Sequence, residues 1–510
     1  MAYSTTYQLP VRPGRSSVIW ALLAGTAAGT AALLALGLEA KWAVFAILGL
    51  GLPFVGALSG DLRRFLLALM LFTIPLNADV HLFYSPEAAG TRGLVIAFPD
   101  LCLLVLVAVW LIEVASGLWQ ERIHWVPKVT VPYLALLSLA ALSALWAPKP
   151  LLTLFDVWQM SKVLVLFLYL VNTVRDRDEV EFVVKLLLVG AALQGVVVLL
   201  QNTMGLSLGF FGQETRAELF RPEAETSLVK RPGGTVGHAN TLGRYFVLLL
   251  PTGIFLVLRG ERKRVFYMVT TGLGLLGMIL TLSRSAWIGL AFALVVALVA
   301  QRRRRAVPRR RGILGLVAVV VILGVAFGPM VYRRMVSPDF GATMSRLTTA
   351  KVSLRVIRDH PLLGVGMNNY KEVLDTYFDP SDPFTRVAPV HNLYLLYAGE
   401  LGLPGLVLFL WLMVGVLRLM RPGLRARGAF CAATAVGLFA GFAAMLVMAT
   451  SDYAYKQSLA LMNTMWVVAA LGLAVARLAA AEAVVEPVAE EVAEPMAMNI
   501  TRQLLALTQE

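Results

Sequence analysis

Residues 312–332 read GILGLVAVVVILGVAFGPMVY, a stretch that contains no charged side chain. A helix of this length crosses the roughly 30 Å hydrocarbon core of a bilayer. Similar apolar blocks recur along the 510-residue chain, which is 58% hydrophobic but only 15% charged, whereas a soluble protein is about a quarter charged. The composition excludes a soluble globular enzyme, a disordered scaffold and a disulfide-stapled secreted module, and it predicts an integral membrane protein.

Apolar blocks of this kind predict an all-α polytopic membrane protein with about 12–14 transmembrane helices. The expected spans are 17–37, 42–58, 62–77, 98–117, 129–146, 154–173, 180–203, 239–258, 265–282, 285–300, 312–332, 391–417, 429–449 and 457–477. The blocks at 42–58 and 62–77 are short, and without them about twelve spans remain. We assign residues 1–477 to this transmembrane domain. The remaining segment, 478–510, is rich in Ala, Val, Glu and Pro and is expected to be a disordered cytoplasmic tail.

Lysine and arginine residues in the short connections indicate how the chain crosses the membrane. If the N-terminus is cytoplasmic, the inner side holds Arg12, Arg15, Arg63, Arg64, Arg122, Lys128, Arg175, Arg177, Lys185, Arg259, Arg262, Lys263, Arg264, the arginine-rich run 302–311, Arg418, Arg421, Arg425 and Arg427. The short outer connections hold Lys41, Arg92, Lys149, Arg284 and Lys456. Because basic residues accumulate on the cytoplasmic side, we expect both termini in the cytoplasm and the chain in the inner (plasma) membrane.

The formal net charge of +14 has the same origin. Taken alone, the arginine run at 302–311 resembles a nucleic-acid-binding tract. Beside a membrane it is better explained as a topogenic loop near anionic lipids. We therefore expect membrane lipids, and no nucleic acid, among the partners of the chain.

Two segments on the outer side, at about 204–238 and 333–390, are too long to be simple connections. The second is expected to contain a helix with one apolar and one basic face, so that it forms a large helical periplasmic loop. The apolar face consists of Leu347, Ala350, Leu354 and Ile357, and the basic face of Lys351, Arg355 and Arg358. Such a helix can lie on the membrane surface.

Basic residues in these outer segments are candidates for ligand binding, because topology does not require them there. They are Arg216, Arg221, Lys230, Arg231, Arg244, Arg333, Arg334, Arg346, Lys351, Arg355, Arg358, Lys371 and Arg386, together with Arg284 at an outer hairpin tip. The planar guanidinium group matches the oxygens of a phosphate. An outer ring of arginines therefore suits a lipid-linked phosphate or pyrophosphate, and anchoring to anionic headgroups is the alternative explanation.

Two short motifs give an arginine distinctive surroundings. Arg231 begins the glycine-rich string 231–240 (RPGGTVGHAN), and Arg284 lies in the hairpin tip 281–287 (TLSRSAW). Glycines allow a close backbone approach to a phosphate, although a plain turn explains them too. A third string, 361–367 (PLLGVGM), is expected to be a turn-rich re-entry and matches neither a Walker loop nor a dinucleotide fingerprint.

His391 is one of five histidines and stands in the string 390–405 (VHNLYLLYAGELGLPG), at the start of a span. An imidazole beside a basic outer cavity can act as a general base near neutral pH. A lone histidine at a membrane edge is nevertheless more often structural. It is the surrounding string that makes His391 a candidate.

Metal and cofactor sites are not expected. The sequence contains no His-Glu-x-x-His string and no cysteine cluster. Asp176 and Asp178 form an Asp-x-Asp pair, but they belong to an inner loop and are interpreted as a solvated turn. The first outer loop, 38–41, is too short for an acidic pair, so any transferase mechanism here is expected to be independent of metal.

Four strings together resemble the bacterial O-antigen ligase and polymerase superfamily: 231–240, 283–286, 358–366 and 391–405. The resemblance covers about residues 180–420, in the expected order and on the expected side of the membrane. It implies an architecture similar to that of lipid-dependent multi-span glycosyltransferases. Two departures are the number of spans, about fourteen where ligases commonly have about twelve, and Ala239, where the family often has proline.

The resemblance implies transfer of a polysaccharide from undecaprenyl pyrophosphate to an acceptor hydroxyl, such as that of lipid A-core, on the outer face of the inner membrane. It implies that Arg231 and Arg284 bind the donor pyrophosphate and that His391 is the catalytic base. As supporting residues we expect Asn240, Arg244, Arg355, Arg358 and Asn392. The implied partners are an undecaprenyl-pyrophosphate-linked glycan and a lipid or glycan acceptor, with no cofactor.

Three other functions are considered. A polymerase would extend carrier-linked repeat units by the same chemistry. A small-anion transporter is also considered, because a branch of the superfamily has been linked to bicarbonate uptake. Transporters usually place ionisable groups near the midplane on broken helices, and here we expect only Glu400 at that depth. A purely structural lipid anchor would not need the ordered arginine and histidine strings.

Overall fold

The computed structural model describes residues 61–76, 79–85, 91–205, 218–220, 229–259, 263–302, 310–336, 342–379 and 389–482. The expected spans at 17–37 and 42–58 lie outside these residues. Within the described ranges, nine helices are long and apolar enough to cross a membrane, and a tenth apolar helix is slightly shorter. This confirms the all-α polytopic class.

The elements follow one another with short connections. The first part comprises α1 (Leu62–Thr73), β1 (Asp79–Leu82), β2 (Leu94–Ala97), α2 (Phe98–Ala115), α3 (Pro127–Leu142), α4 (Pro150–Thr173) and α5 (Arg177–Met204). The second part comprises β3 (Glu218–Phe220), β4 (Val229–Arg231), α6 (Ala239–Arg259), α7 (Arg264–Leu280), α8 (Arg284–Arg302), α9 (Arg310–Val336), α10 (Ala342–Asp359), α11 (Tyr370–Val373), α12 (Leu393–Met420), α13 (Ala429–Met448), α14 (Ala454–Gln457) and α15 (Leu459–Glu482).

Two small antiparallel sheets interrupt the helical pattern. β1 pairs with β2, with Val80 opposite Ile96, and β3 pairs with β4. Strands of three or four residues are too short to give a clear two-residue periodicity, so the sequence analysis did not predict them. The expected span 62–77 is also shorter than predicted, since α1 ends at Thr73 and continues only as a 3-10 turn.

Helices α6, α13 and α15 form the centre of the molecule. In both α6 and α15, 94% of the apolar window is buried, which marks them as the innermost spans. α13 packs closely on α6 through small residues, because a Cβ atom at Gly441 would lie 2.5 Å from the Leu248 carbonyl oxygen. α15 continues to Glu482, beyond the expected boundary at residue 477, and the Glu482 carboxylate accepts a hydrogen bond from the Arg427 amide at 3.0 Å.

The amphipathic helix predicted in the second outer segment is confirmed as α10, but a different face packs against the protein. Thr348, Val352 and Val356 are buried, whereas Leu347 and Leu354 are more than half exposed. The apolar face expected from the pattern is therefore free to contact lipid. This agrees with a helix that lies along a membrane surface.

Helix α12 is broken at Gly402, whose backbone (φ 69°, ψ −175°) is not helical. The break frees carbonyl groups, and the turn 361–367 binds them: the Val365 and Gly366 amides donate to Gly399 O and Glu400 O at 3.0 and 2.9 Å. In return the Leu403 amide donates to Pro361 O at 2.8 Å. Because buried backbone groups must be paired, the re-entrant turn and the broken helix stabilise each other.

Candidate functional site

An open cavity of about 760 Å³, hereafter the main cavity, lies between the β1–β2 hairpin, α4, the start of α6, α10 and the ends of α12 and α13. These elements come from distant parts of the chain. The polar side chains that line it include Arg92, His238, Asn240, Arg346, His391 and Asp452. Of the residues predicted from the sequence, the main cavity thus brings together His391 and Asn240.

His391 is held in place by the start of α12. The next residue, Asn392, caps the helix, because its side-chain oxygen accepts hydrogen bonds from the amides of Tyr394 (2.9 Å) and Leu395 (3.1 Å). The Leu393 amide donates to Ala449 O at 2.8 Å, which fixes this end of α12 to the end of α13. Asn392 therefore positions His391 in the structure through the helix cap.

The surroundings of His391 favour the neutral imidazole. Burial lowers the pKa of His391 below its ordinary value of 6.5, and the nearby cations Arg346 and Arg244 lower it further, while Asp452 opposes them. Its ring centre lies 5.6 Å from that of Tyr453. The buried Nδ1 atom has no hydrogen-bond partner among the described residues. This side of the imidazole is not committed to a structural hydrogen bond, and a neutral imidazole can accept a proton.

Arg244 and Asp452 form a buried ion pair beside His391. Arg244 Nη2 lies 2.7 Å from Asp452 Oδ2, and the side chains are 1% and 15% exposed. The other Asp452 oxygen accepts a hydrogen bond from the Ala454 amide at 3.0 Å, so the carboxylate also shapes the connection to α14. Sequence reasoning proposed Arg244 as a supporting residue but missed Asp452, which carries no local motif.

The two arginine motifs meet at Asn240. Arg231 Nη2 donates to the Asn240 side-chain oxygen at 2.6 Å, and Ser283 Oγ donates to the same oxygen at 3.0 Å. Arg231 is only 8% exposed, and Arg284 is half-buried at the start of α8. Neither arginine lines the main cavity, so Arg231 stands behind Asn240, which does.

The glycine-rich string 231–240 folds as a packed turn. Its backbone amides at Gly234 and Thr235 donate to the side-chain oxygens of Gln201 and Gln194 on α5, at 2.9 and 3.0 Å. Gly234 has a left-handed φ of 61°, which favours glycine. Because these amides are already bound, the plain turn considered from the sequence is the better interpretation, and they do not face a phosphate.

Two other supporting candidates lie elsewhere. Arg355 donates to Tyr377 O at 2.9 Å, which ties α10 to the segment after α11. Arg358 is exposed and pairs with Asp359 at 3.1 Å. Arg346, from the same helix, lines the main cavity instead. The pattern placed all three on one outer segment but gave no signal for which of them faces the cavity.

A buried ionic cluster lies beneath the main cavity. Lys456 of α14 pairs with Asp156 of α4 at 3.0 Å and with Glu400, which stands just before the break in α12. Asp156 and Lys456 line an enclosed cavity of about 40 Å³, and Gln159 lines both this cavity and the main one. Glu400 was expected from the sequence to be the only ionisable group at that depth, which is wrong.

Metal-ligand clusters were also sought. Over the ranges that the structure describes, no three His, Cys, Asp or Glu side chains are grouped so that they could hold a metal ion. The chemistry that these residues themselves provide is that of an imidazole in a cation-lined, open cavity.

Residues 269–410 match the family model described as O-antigen ligase. The matched segment contains Arg284, Arg346 and His391, but it leaves out Arg231 and Asp452. No curated protein matches the chain. The match confirms the resemblance of this integral membrane protein to the O-antigen ligase and polymerase superfamily, and it supports a ligase-like or polymerase function in general.

Proposed function

We propose that this protein transfers a polysaccharide from undecaprenyl pyrophosphate to an acceptor hydroxyl, such as that of lipid A-core, on the outer face of the inner membrane. The observation that carries the proposal is the environment of His391. The imidazole lines an open cavity, its surroundings lower its pKa, and Nδ1 has no partner among the described residues. These are the properties of a general base.

The reaction is a displacement at the anomeric carbon of the donor sugar. The acceptor hydroxyl oxygen attacks this carbon while its proton passes to His391. The bond from the carbon to the pyrophosphate oxygen breaks, and the pyrophosphate leaves with the electron pair. Arginine stabilises the charge that develops on the leaving group, and we assign this role to Arg231 and Arg284.

Arg231 acts from behind the cavity wall. Its charge reaches the cavity at Asn240, and Arg92 and Arg346 add cations to the cavity itself. In a partly buried site such charges act through a lower dielectric than in water and are screened less. The pyrophosphate is therefore proposed to lie against the Asn240 wall.

The test is a transfer assay with purified protein in lipid nanodiscs, a donor carrying a labelled glycan, and lipid A-core as acceptor. His391→Ala should lose about 10²–10⁴-fold in transfer rate while keeping donor binding. The matched control is His360→Ala, since His360 is exposed and outside the main cavity. Near-normal turnover of folded His391→Ala protein would refute the general-base role.

The outer location depends on the predicted topology. Asp379 and Arg122 are both exposed and lie on opposite predicted sides of the membrane. In intact cells, an impermeant thiol reagent should label Asp379→Cys and leave Arg122→Cys unlabelled. Labelling of Arg122→Cys would place the main cavity on the cytoplasmic side and overturn the proposal.

A polymerase is the nearest alternative, and the same assay separates the two. When lipid A-core is replaced by a second carrier-linked glycan, a polymerase forms products that contain several repeat units. A ligase forms none. Either result preserves the role of His391 but changes the acceptor.

A specific observation also favours a transporter as the second candidate. Glu400 lies at a helix break and joins Asp156 and Lys456 in a buried cluster, as transporter sites often do. Sealed vesicles that contain the purified protein should then take up labelled bicarbonate, and Lys456→Met should abolish uptake. Glycan transfer without bicarbonate uptake would leave the cluster with a structural role.

A further inference from the structure

An apolar groove of about 520 Å³ lies beside the main cavity. Its lining is Phe83, Leu94, Leu151, Leu154, Val157 and Trp158, with Ser161 at its edge. Phe83 is 71% exposed, and Leu151 and Leu154 are about half exposed. The groove is therefore an open, hydrocarbon-like surface formed by the β1–β2 hairpin and the first turns of α4.

One layer of backbone separates the groove from the main cavity. At three places, consecutive residues face the two sides: Phe83 and Tyr84, Leu94 and Val95, and Trp158 and Gln159. In each pair the first residue lines the groove and the second lines the main cavity. A molecule with an apolar chain and a polar head can thus occupy both spaces at the same time.

This wall is fixed by hydrogen bonds to one carbonyl oxygen. Trp158 Nε1 and Lys162 Nζ both donate to Val95 O, at 3.0 and 2.7 Å. Phe83 has a φ of 54°, a left-handed conformation that is strained for a bulky residue. The strain holds an aromatic ring out at the mouth of the groove, where the rest of the hairpin does not need it for packing.

The groove lies at the depth of one lipid leaflet. From Leu151 to Ser161, α4 rises by about 15 Å, which is half of the roughly 30 Å hydrocarbon core. In the predicted topology the N-terminus of α4 faces the outer side. Arg92, exposed at the rim between the hairpin strands, lines the neighbouring main cavity and supplies a cation for an anionic headgroup.

We propose that the groove holds a hydrocarbon chain of the lipid acceptor, while the acceptor glycan reaches the main cavity beyond the hairpin wall. The proposal rests on the proposed function, in which the donor pyrophosphate lies against Asn240. That wall belongs to α6 and α8, whereas the groove belongs to the hairpin and α4, so the two lipids approach through different walls.

The experiment fills the groove and compares two forms of the acceptor. Leu154→Trp places a larger ring in the groove, and the matched control Val165→Trp alters an exposed position of α4 outside it. Purified variants are assayed with lipid A-core and with its fully deacylated, water-soluble glycan. We expect Leu154→Trp to raise the KM for lipid A-core about 10-fold, which corresponds to contact with about two methylene groups. The KM values for the soluble glycan and for the donor should not change.

Three results would overturn the inference. An increase in donor KM would show that the groove takes the donor chain. Equal losses with lipid and soluble acceptors would show that another part of the chain covers the groove. Equal effects of Leu154→Trp and Val165→Trp would show a general lipid-facing surface. Direct binding of lipid A-core, measured in parallel, separates the hypotheses: if binding depends on Leu154 but no glycan is transferred, the proposed function alone is wrong.

Discussion

Replacing Asp452 by asparagine should destabilise the protein, because it leaves Arg244 charged and buried. Asp452 is the one partner that the described residues give to this guanidinium, whose Nε and Nη1 atoms have none. At 2.7 Å and an effective dielectric constant of about 20, the Coulomb attraction is roughly 6 kcal/mol before desolvation is subtracted. Breaking a buried pair of this kind costs about 3–5 kcal/mol.

The free energy of unfolding is measured by SDS titration of purified protein in mixed micelles. Asp452→Asn should lose about 3–5 kcal/mol, and the double variant Arg244→Met/Asp452→Leu should recover most of that loss because no buried charge remains. Arg64→Gln, which removes an exposed pair with Asp61, is the control and should change stability by less than about 1 kcal/mol.

The same substitution has a distinct effect on catalysis. Asp452 is the group that opposes the lowering of the His391 pKa. Without it the pKa of His391 falls further, so the acid side of the pH–rate profile should move to lower pH. A loss of stability below about 1 kcal/mol, or a double variant as unstable as the single one, would refute the account of the pair.

Three further predictions concern the rest of the site. Arg231→Ala and Arg284→Ala should each weaken donor binding by roughly 10- to 150-fold in a direct binding assay, with partial rescue by lysine; unchanged affinity in both would assign them to headgroup anchoring. Because the pKa of His391 is lowered, the wild-type transfer rate should hold through neutral pH and fall only below pH 6.5, with a single ionisation; a rate that falls above pH 7 would contradict this. Gly402→Ala should cost at least about 1–3 kcal/mol of unfolding free energy in the SDS titration, whereas Gly272→Ala, with open space around it, should be nearly neutral.

The helices could be predicted because the signal is local. A block such as 429–449 carries its own hydropathy, and the structure begins and ends α13 within a residue of it. The helix in the second outer segment was predicted for the same reason. The face that packs was not, because Val352 and Val356 are buried by contacts with other elements that the pattern does not contain.

The candidate site shows the same limit. His391 and Asn240 stand in recognisable strings, and both line the main cavity. Asp452 and Lys456 stand in no motif, and their partners are far away in sequence: Arg244 for the first, Asp156 for the second. A carboxylate that becomes important through a distant arginine leaves no trace in its own neighbourhood. The capping role of Asn392 was readable, since asparagine before an apolar helix is a common N-cap.

The break at Gly402 also sets a height scale for the chemistry. The 28 residues of α12 would rise about 42 Å as one continuous helix, more than the roughly 30 Å hydrocarbon layer. After the break, the piece that ends at Met420 spans about 27 Å and nearly fills that layer alone. The piece that begins beside His391 then projects about 14 Å into the headgroup region. Sugar, phosphate and imidazole would meet there among lipid headgroups, and Glu400 would lie at the boundary of the oil instead of its middle.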